Sequence, residues 1–422
     1  MFKKSKIVVA ILLVMLVSFS SFAVALANDG ENEGATPASG PGVLPLIKDL
    51  RMPQGTLTPE AGFVFNTTLV SVDGITDQTQ LTNAPDLGTF RIKFDAETVA
   101  LAPGSDTKIA TDSIANILAG VTFPHAGEFI FDIWEESDTN SHIDNDHNMV
   151  LTYSNYVYRI QVLVSNDDNN GVAIAHIYMI RGIRGDDGTV VFDEGTKVDQ
   201  LVFTNDFIRT NGPTDPDRPV PGDEDGSTLF VSKTVTGDSG RRDLYFNFNI
   251  SVTLPTLLPE NLRPGYFRAF IVENGAVVQD ITSNAVGTTG NVMDVGPYLQ
   301  ISTTSATNFN LKHGQRLVFV DTPVGTSYNV TETFVDGYTT AIEVVSNSVQ
   351  VLNVSGLTAN LTTGTQFVGE SNNNAAFTND RPFTAPMGLG LNDLPFIGLI
   401  LLAIGAFVGF VVVKVRRSRK SF

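Results

Sequence analysis

Apolar and polar residues alternate along much of this chain, in short runs separated by turn-forming residues. The clearest runs are 129–134, 156–164, 246–252 and 328–332. A period of two places successive side chains on opposite faces of a strand, so each run predicts a half-buried β-strand. Helical periodicity is scarce apart from 110–119. Short strands at regular spacing predict an all-β fold of two tandem immunoglobulin-like β-sandwich domains.

The two ends of the chain break this pattern. Residues 1–27 carry early lysines, an apolar stretch and Ala25-Leu26-Ala27, which together are typical of a secretory signal peptide. The apolar part is shorter than the roughly 18–20 residues that a membrane span needs. Residues 395–413 are apolar for long enough, and the basic tail 414–422 favours a transmembrane helix whose tail is cytoplasmic.

Composition shifts divide the exported part. A low-complexity, disordered leader is predicted at 28–42, followed by a first domain at 43–210. A linker rich in Pro, Gly and charge is predicted at 211–226, and a second domain at 227–382. The remaining segment, 383–394, is a stalk that resembles a sorting signal and joins the second domain to the membrane helix.

Charge and residue usage exclude several classes of function. The net charge is −18, and it becomes more negative once the cationic ends are set aside, so nucleic acid is not an expected partner. The chain has no cysteine, and its 5 histidines lack metal-binding spacing. The loop 138–147 offers oxygen ligands but lacks the glycine and final glutamate of a calcium-binding loop. We therefore expect no metal and no cofactor.

The same three signals occur in the same order in both halves of the exported part, as an internal repeat. A lysine in an early apolar strand is followed by a glutamate that closes an alternating strand, and then by an asparagine within Phe-Thr-Asn-Asp. These residues are Lys48, Glu135 and Asn205 in the first half, and Lys233, Glu332 and Asn379 in the second. Glu136 is an alternative to Glu135.

This ordered triple resembles the streptococcal pilin isopeptide-linkage domain of Gram-positive major pilins, and the resemblance covers nearly the whole exported part. It implies that each lysine and asparagine join in an intramolecular isopeptide bond, with the glutamate as proton shuttle and no external enzyme. The chemistry is reasonable because burial lowers the pKa of a lysine and exposes its lone pair. Burial raises the pKa of a glutamate, which can then carry protons while ammonia leaves.

The sequence matches a cell-wall sorting signal only in part. Pro386-Met387-Gly388 lies where pilins of this family often have Pro-Thr-Gly, so a sortase is an expected partner although Met replaces Thr. The segment 394–398 is a second sortase-like stretch. Lys197, just ahead of the Asn205 strand, is the candidate lysine for polymerisation, against the alternative of an ordinary surface lysine.

The predicted function is structural: a pilus or fibre subunit, or a stalk, anchored by its C-terminal end to the wall or membrane of a Gram-positive bacterium. Its partners would be other pilin subunits or cell wall peptidoglycan. The alternative is an adhesin that binds a host or matrix ligand through longer insertions of the first domain, at 76–128 and 136–150. An enzyme is not expected, because no pair of carboxylates lies in a recognisable catalytic motif.

Overall fold

The computed structural model describes residues 42–81, 83–99, 102–146, 148–167, 171–211, 229–278, 289–292, 296–383 and 394–418. We call 42–211 the first half and 229–383 the second half. The predicted signal peptide, most of the leader and of the linker, and Pro386, Met387 and Gly388 lie outside the described residues.

Among its described residues, the first half has ten strands, one short helix and a 3-10 turn at Gln78–Gln80. Its elements are β1 (Leu46–Pro53), β2 (Ala61–Val72), β3 (Phe90–Phe94), β4 (Thr107–Ile114), β5 (Gly127–Glu135), α1 (Ser141–Asp144), β6 (Met149–Thr152), β7 (Tyr156–Asn166), β8 (Val172–Arg184), β9 (Val190–Lys197) and β10 (Leu201–Asn211). One sheet has the order β10-β1-β4, with β6 also paired to β10, and the other has the order β3-β2-β5-β7-β8-β9.

The second half is also built from strands, with a 3-10 turn at Glu260–Leu262. The strands are β11 (Leu229–Thr236), β12 (Phe246–Thr253), β13 (Tyr266–Glu273), β14 (Ala276–Val278), β15 (Thr289–Val292), β16 (Gly296–Ser302), β17 (Thr307–Leu311), β18 (Gln315–Phe319), β19 (Thr322–Pro323), β20 (Ser327–Glu332), β21 (Thr339–Ser346), β22 (Val349–Leu357), β23 (Leu361–Thr362), β24 (Gln366–Phe367) and β25 (Asn373–Asp380). One sheet has the order β15-β16-β13-β18-β11-β25-β21-β22, with β14 paired to β13, and the other has the order β17-β12-β20-β23, with β24 paired to β20.

Each half has its own hydrophobic core between two sheets. The alternate side chains of β1, β2, β5 and β10 are buried in the first core, and those of β11, β12, β20 and β25 are buried in the second. Alternation with period two is what a strand needs in order to bury one face and expose the other. The predicted all-β fold is therefore confirmed, and the runs singled out in the sequence are β5, β7, β12 and β20.

The helical periodicity read at 110–119 was wrong. The segment begins within β4, which pairs antiparallel with β1, so that Lys48 is the register partner of Asp112. Pairing with a neighbouring strand outweighs a weak local pattern of this length. The predicted insertion at 76–128 likewise contains β3, β4 and core side chains such as Ile92, Phe94 and Phe123.

The first and last strands of each half lie side by side and run parallel, whereas the other strand pairs are antiparallel. In the first half β1 pairs with β10, and in the second β11 pairs with β25. Residues far apart in sequence thus meet in the middle of a sheet. This arrangement decides which side chains can react with each other.

The two halves contact each other at a junction that we define by β19, Arg209, Glu370 and residues 53–57. The end of β10 pairs with β19 of the second half. Glu370 accepts hydrogen bonds from the Leu57 backbone N–H at 2.8 Å and from the Arg209 guanidinium at 3.2 Å. Glycine is required at 325, where φ is +83° and a Cβ would lie 2.6 Å from the Pro53 Cβ.

Beyond the second half, α2 (Leu394–Ser418) is one continuous apolar helix. Its residues Pro395–Arg417 are long and apolar enough to cross a membrane. The helix begins close to the predicted start of the span and continues a few residues into the basic tail. Its side chains make almost no contact with the two sandwiches, since the helix is exposed along its length.

Candidate cross-linking sites

The structure brings the three predicted residues of each half together inside its core. We call Lys48, Glu135 and Asn205 the first site, and Lys233, Glu332 and Asn379 the second site. Relative exposures in the first site are 0%, 5% and 0%, and in the second 1%, 1% and 0%. Such burial is rare for lysine and glutamate unless they are paired.

Strand pairing positions the lysine and the asparagine in the same way in both halves. Lys48 lies opposite Phe203, two residues before Asn205 on the neighbouring strand. Lys233 lies opposite Phe377, again two residues before the asparagine. Because side chains alternate along a strand, an offset of two keeps both side chains on the face that points into the core.

The glutamate of each site comes from the opposite sheet. Glu135 ends β5 and is the register partner of Phe65, and Glu332 ends β20 and is the register partner of Phe248. Each carboxyl group therefore reaches across the sandwich to a lysine and an asparagine on two adjacent strands. The two halves repeat this geometry although their sheets differ in strand number.

Hydrogen bonds join each glutamate to both of its partners. In the first site, the Lys48 Nζ donates to Glu135 Oε1 at 2.9 Å and to Oε2 at 2.7 Å. The Asn205 Nδ2 donates to the same Oε1 at 2.6 Å. The lysine and asparagine nitrogens therefore share one carboxylate oxygen, which holds them close to each other.

The second site has the same connections with fewer contacts. The Lys233 Nζ donates to Glu332 Oε1 at 2.6 Å, and the Asn379 Nδ2 donates to that oxygen at 2.7 Å. Within the part of the chain that the structure describes, Glu332 Oε2 and Asn379 Oδ1 are buried without a hydrogen-bond partner. This amide is therefore held at one end only.

Aromatic rings form the walls of both sites, and the sequence reading did not identify them. The Lys48 Nζ lies 4.4 Å from the centroid of the Phe63 ring. The Lys233 Nζ lies 4.2 Å from that of Phe246 and 5.9 Å from that of Phe248. The signal in the sequence is Phe-x-Phe in the strand that follows the lysine strand, at 63–65 and 246–248.

Burial shifts the pKa values of these groups in the direction that the chemistry requires. Desolvation lowers the pKa of Lys48 to about 8, although Glu135 partly opposes the shift. Desolvation also lowers the pKa of Lys233 to about 8, with Glu332 opposing. The pKa values of Glu135 and Glu332 are raised, chiefly by the same desolvation. Each site therefore favours a neutral amine beside a protonated carboxyl more than water would.

The remaining predicted residues lie away from these sites. Glu136 is exposed and accepts a hydrogen bond from the Asn66 side chain, so Glu135 is the glutamate that faces the core. Lys197 ends β9, is exposed, and has its Nζ 4.5 Å from the centroid of the Tyr178 ring.

This chain is similar in sequence to known proteins. Residues 227–381 match a family described as a domain of unknown function, DUF7601. A pilin of Streptococcus pyogenes serotype M1 is 24% identical over 313 residues, which are 74% of this chain and 73% of that pilin. The alignment is longer than either half, so it includes residues of both.

Two solved structures also match parts of this chain at low identity and low TM-score. The crystal structure of the major pilin from Streptococcus pyogenes covers 82% of this chain and 100% of its own, with 20% identity and a TM-score of 0.32. A pilus-presented adhesin covers 49% of this chain and 37% of its own, with 18% identity and a TM-score of 0.21. The predicted resemblance to Gram-positive pilins is confirmed, because this chain is similar to a streptococcal pilin over most of the length of both proteins.

Proposed function

We propose that this chain is a structural subunit of a pilus or fibre on the surface of a Gram-positive bacterium, and that each half closes itself with a Lys–Asn isopeptide bond. The observation that carries the proposal is the repeated buried site, with the same register offset and the same shared carboxylate oxygen in two halves. An ordinary buried ion pair has no need of an asparagine on the same oxygen, repeated in both sandwiches.

The reaction is an attack by the lysine on the asparagine amide. Neutral Nζ adds to Cγ of the asparagine, and Oδ1 takes up the electron pair. The glutamate gives its proton to Nδ2 and receives one from Nζ. The Cγ–Nδ2 bond then breaks, ammonia leaves, and the carboxyl group ends protonated as it began. Folding supplies the proximity that makes this amide exchange fast enough to occur without a separate enzyme.

The bonds suit a protein that carries load. Each would join the first strand of a half to its last strand, where β1 meets β10 and β11 meets β25. These terminal strands are where pulling force enters and leaves the domain, and a covalent bond prevents them from separating. By the chain-entropy estimate used for disulfides, closing a loop of this size stabilises each half by about 5 kcal/mol.

The repeated core and site also support a division into two domains. We propose domains at 43–210 and 227–382, because each contains one core and one complete site. The proposed linker, 211–226, overlaps the end of β10, whose last residues pair with β19 of the second half. The two domains would then transmit force through the junction as well as through the linker.

Assembly would use the ends of the chain. The signal peptide would direct export. The helix α2 would then hold the C-terminal end in the membrane until a sortase cleaves near Met387-Gly388. The new carboxyl end would pass to cell wall peptidoglycan or to a lysine of the next subunit. Lys197 is our candidate for that lysine, because it is exposed at the end of β9 and lines a cleft of about 390 Å³ with Tyr178 and Arg159.

The test is the mass of the mature chain, purified in detergent, against a variant that carries both Glu135→Ala and Glu332→Ala. We expect the unaltered chain to be lighter by two ammonias after allowance for the substitutions. Proteolytic mapping should yield branched peptides that join Lys48 to Asn205 and Lys233 to Asn379. Equal corrected masses and linear peptides throughout would refute self-cross-linking and leave only the likeness to pilins.

A further inference from the structure

The two sites differ at the oxygen of the asparagine side chain. In the first site, Asn205 Oδ1 accepts a hydrogen bond from the backbone N–H of Ser154 at 2.7 Å. In the second site, Asn379 Oδ1 is equally buried but has no hydrogen-bond partner among the described residues. The two asparagines otherwise have the same register and the same glutamate contact. The Ser154 N–H also lies close enough to Glu135 to oppose the rise in the pKa of that glutamate. This one N–H is therefore the clearest chemical difference between the sites.

The Ser154 donor determines how the Asn205 amide is oriented. A backbone N–H can only donate, so the atom that faces it must be the amide oxygen. The Nδ2 must then face Glu135, where it donates to Oε1 at 2.6 Å. The leaving nitrogen is thereby placed against the group that protonates it, and the carbonyl oxygen against a donor.

The chain around Ser154 is held by contacts on both sides. Before it, β6 pairs with β10 as far as Thr152, which lies opposite Asp206. After it, the Asn155 carbonyl accepts a hydrogen bond from the Arg184 N–H at 2.9 Å. Because β6 ends there, the next residues leave the ladder, and the Ser154 N–H is available to the side chain of Asn205.

The second half uses the corresponding strand differently. There β21 stays paired with β25 past the asparagine, with Thr340 opposite Asn379 and Ala341 opposite Thr378. A strand that continues in the ladder directs its backbone groups to its neighbour's backbone and not to a side chain. In the part of the second half that the structure describes, no N–H takes the place of that of Ser154.

We propose that the Ser154 N–H acts as an oxyanion-hole donor for the first bond, and that the first half therefore cross-links faster than the second. The inference rests on the proposed function. As Nζ of Lys48 adds to Cγ, the electron pair moves to Asn205 Oδ1, and the charge develops on the atom that the N–H already contacts. When the C=O double bond re-forms and ammonia leaves, the same hydrogen bond remains in the product. A preorganised donor of this kind is worth about 10²–10³-fold in rate where one has been removed from an enzyme.

The experiment follows both bonds in one molecule. The full chain is synthesised in a cell-free reaction with detergent, samples are quenched in denaturant at intervals, and the two branched peptides are quantified by mass spectrometry. We expect the Lys48–Asn205 peptide to appear at least about tenfold faster than the Lys233–Asn379 peptide. Equal rates, or a faster second bond, would overturn the inference while leaving the proposed function intact. Absence of both peptides would instead refute the proposed function.

A backbone substitution tests the donor itself. Replacing Ser154 by its α-hydroxy acid analogue turns the preceding peptide bond into an ester and removes only the N–H. We expect the first bond to slow by about 10²–10³-fold, with the second bond in the same molecule unchanged as the internal control. The matched control is the same replacement at Asn155, whose N–H makes no hydrogen bond to Lys48, Glu135 or Asn205 among the described residues. An unchanged first rate in the Ser154 analogue would show that the donor has no catalytic role, and the comparison of the two bonds in the unaltered chain stands even if the analogue folds poorly.

Discussion

At the scale of single residues, both sites place an amine and a carboxyl group where water cannot stabilise their charges. An ion pair buried in this way contributes little to stability, because desolvation offsets the attraction between the charges. Under the proposed function the value of the pair is chemical, because desolvation lowers the pKa of Lys48 and of Lys233 to about 8 and so favours the neutral amine. The aromatic walls at Phe63 and Phe246 maintain that environment.

The first prediction concerns the glutamates. Glu135→Gln keeps the size and polarity of the side chain but cannot carry a proton between Nζ and Nδ2. We expect the Lys48–Asn205 bond to form about 10²–10⁴-fold more slowly, with the Lys233–Asn379 bond unaffected. Peptide mapping measures both bonds together. Glu136→Gln, one residue away but exposed, is the matched control, and an equal effect of the two substitutions would contradict the assigned role.

The second prediction concerns pH. The reactive state is a neutral Lys48 amine beside a protonated Glu135, and the two groups then hold one exchangeable proton between them. The pair holds one proton only between its two pKa values. Below the raised pKa of Glu135, a further proton keeps Lys48 charged and unreactive. Above about 8, the pair loses the proton that ammonia needs in order to leave. We therefore expect a bell-shaped dependence of the first bond's rate on pH, and a rate that rises steadily above pH 8 would contradict it.

At the scale of elements, the parallel pairs β1/β10 and β11/β25 are the parts of the fold that matter most. In each of these pairs the first strand of a half lies beside the last strand of the same half. Both strands of each pair lie in the interior of their sheet, and under the proposed function the bond would join the first and last strands of the half, where pulling force enters and leaves it. The offset of two residues, which keeps both side chains on the buried face, is therefore a property of the strand pair.

The third prediction concerns stability. Lys48→Met keeps a long apolar side chain beside Phe63 but removes the cross-link. We expect the first half to lose about 5 kcal/mol of stability, which corresponds to a fall in Tm of roughly 10–20 °C for a domain of this size. Calorimetry should show that transition moving while the transition of the second half stays in place. Lys93→Met, at an exposed lysine, is the control, and an equal small change in both variants would mean that the bond contributes nothing.

At the scale of the whole molecule, the two sandwiches are connected by more than the chain that joins them. The pairing of β10 with β19 extends a sheet of the first half by residues of the second. Glu370 from the second half holds the turn at Leu57 and the side chain of Arg209. A junction of this kind favours one relative orientation of the halves.

The fourth prediction concerns this junction. Glu370→Ala leaves the Leu57 N–H and the Arg209 guanidinium without their acceptor, and we expect a loss of about 1–3 kcal/mol at the junction. The cross-links should still form, because both sites lie within their own cores. Limited proteolysis of residues 211–228 measures the opening. Glu343→Ala removes the same charge from an exposed side chain of β21 and is the control. Equal cleavage of the two variants would show that Glu370 does not hold the halves together.

The sequence by itself determined the all-β class, the apolar C-terminal helix and the repeated order of lysine, glutamate and asparagine. These features are local, because alternation, hydropathy and residue type can be read without knowing which strands meet. The same local reading failed at 110–119, where pairing with β1 outweighed the apparent helical period.

Only the tertiary structure decided how the parts of each site meet. The offset of two residues, the approach of the glutamate from the opposite sheet and the junction at Glu370 depend on which strands become neighbours. The Ser154 donor is the extreme case, because every residue except proline has a backbone N–H and no sequence pattern marks the one that will face Asn205. The contact exists because β6 ends at Thr152, so that the next residues leave the ladder.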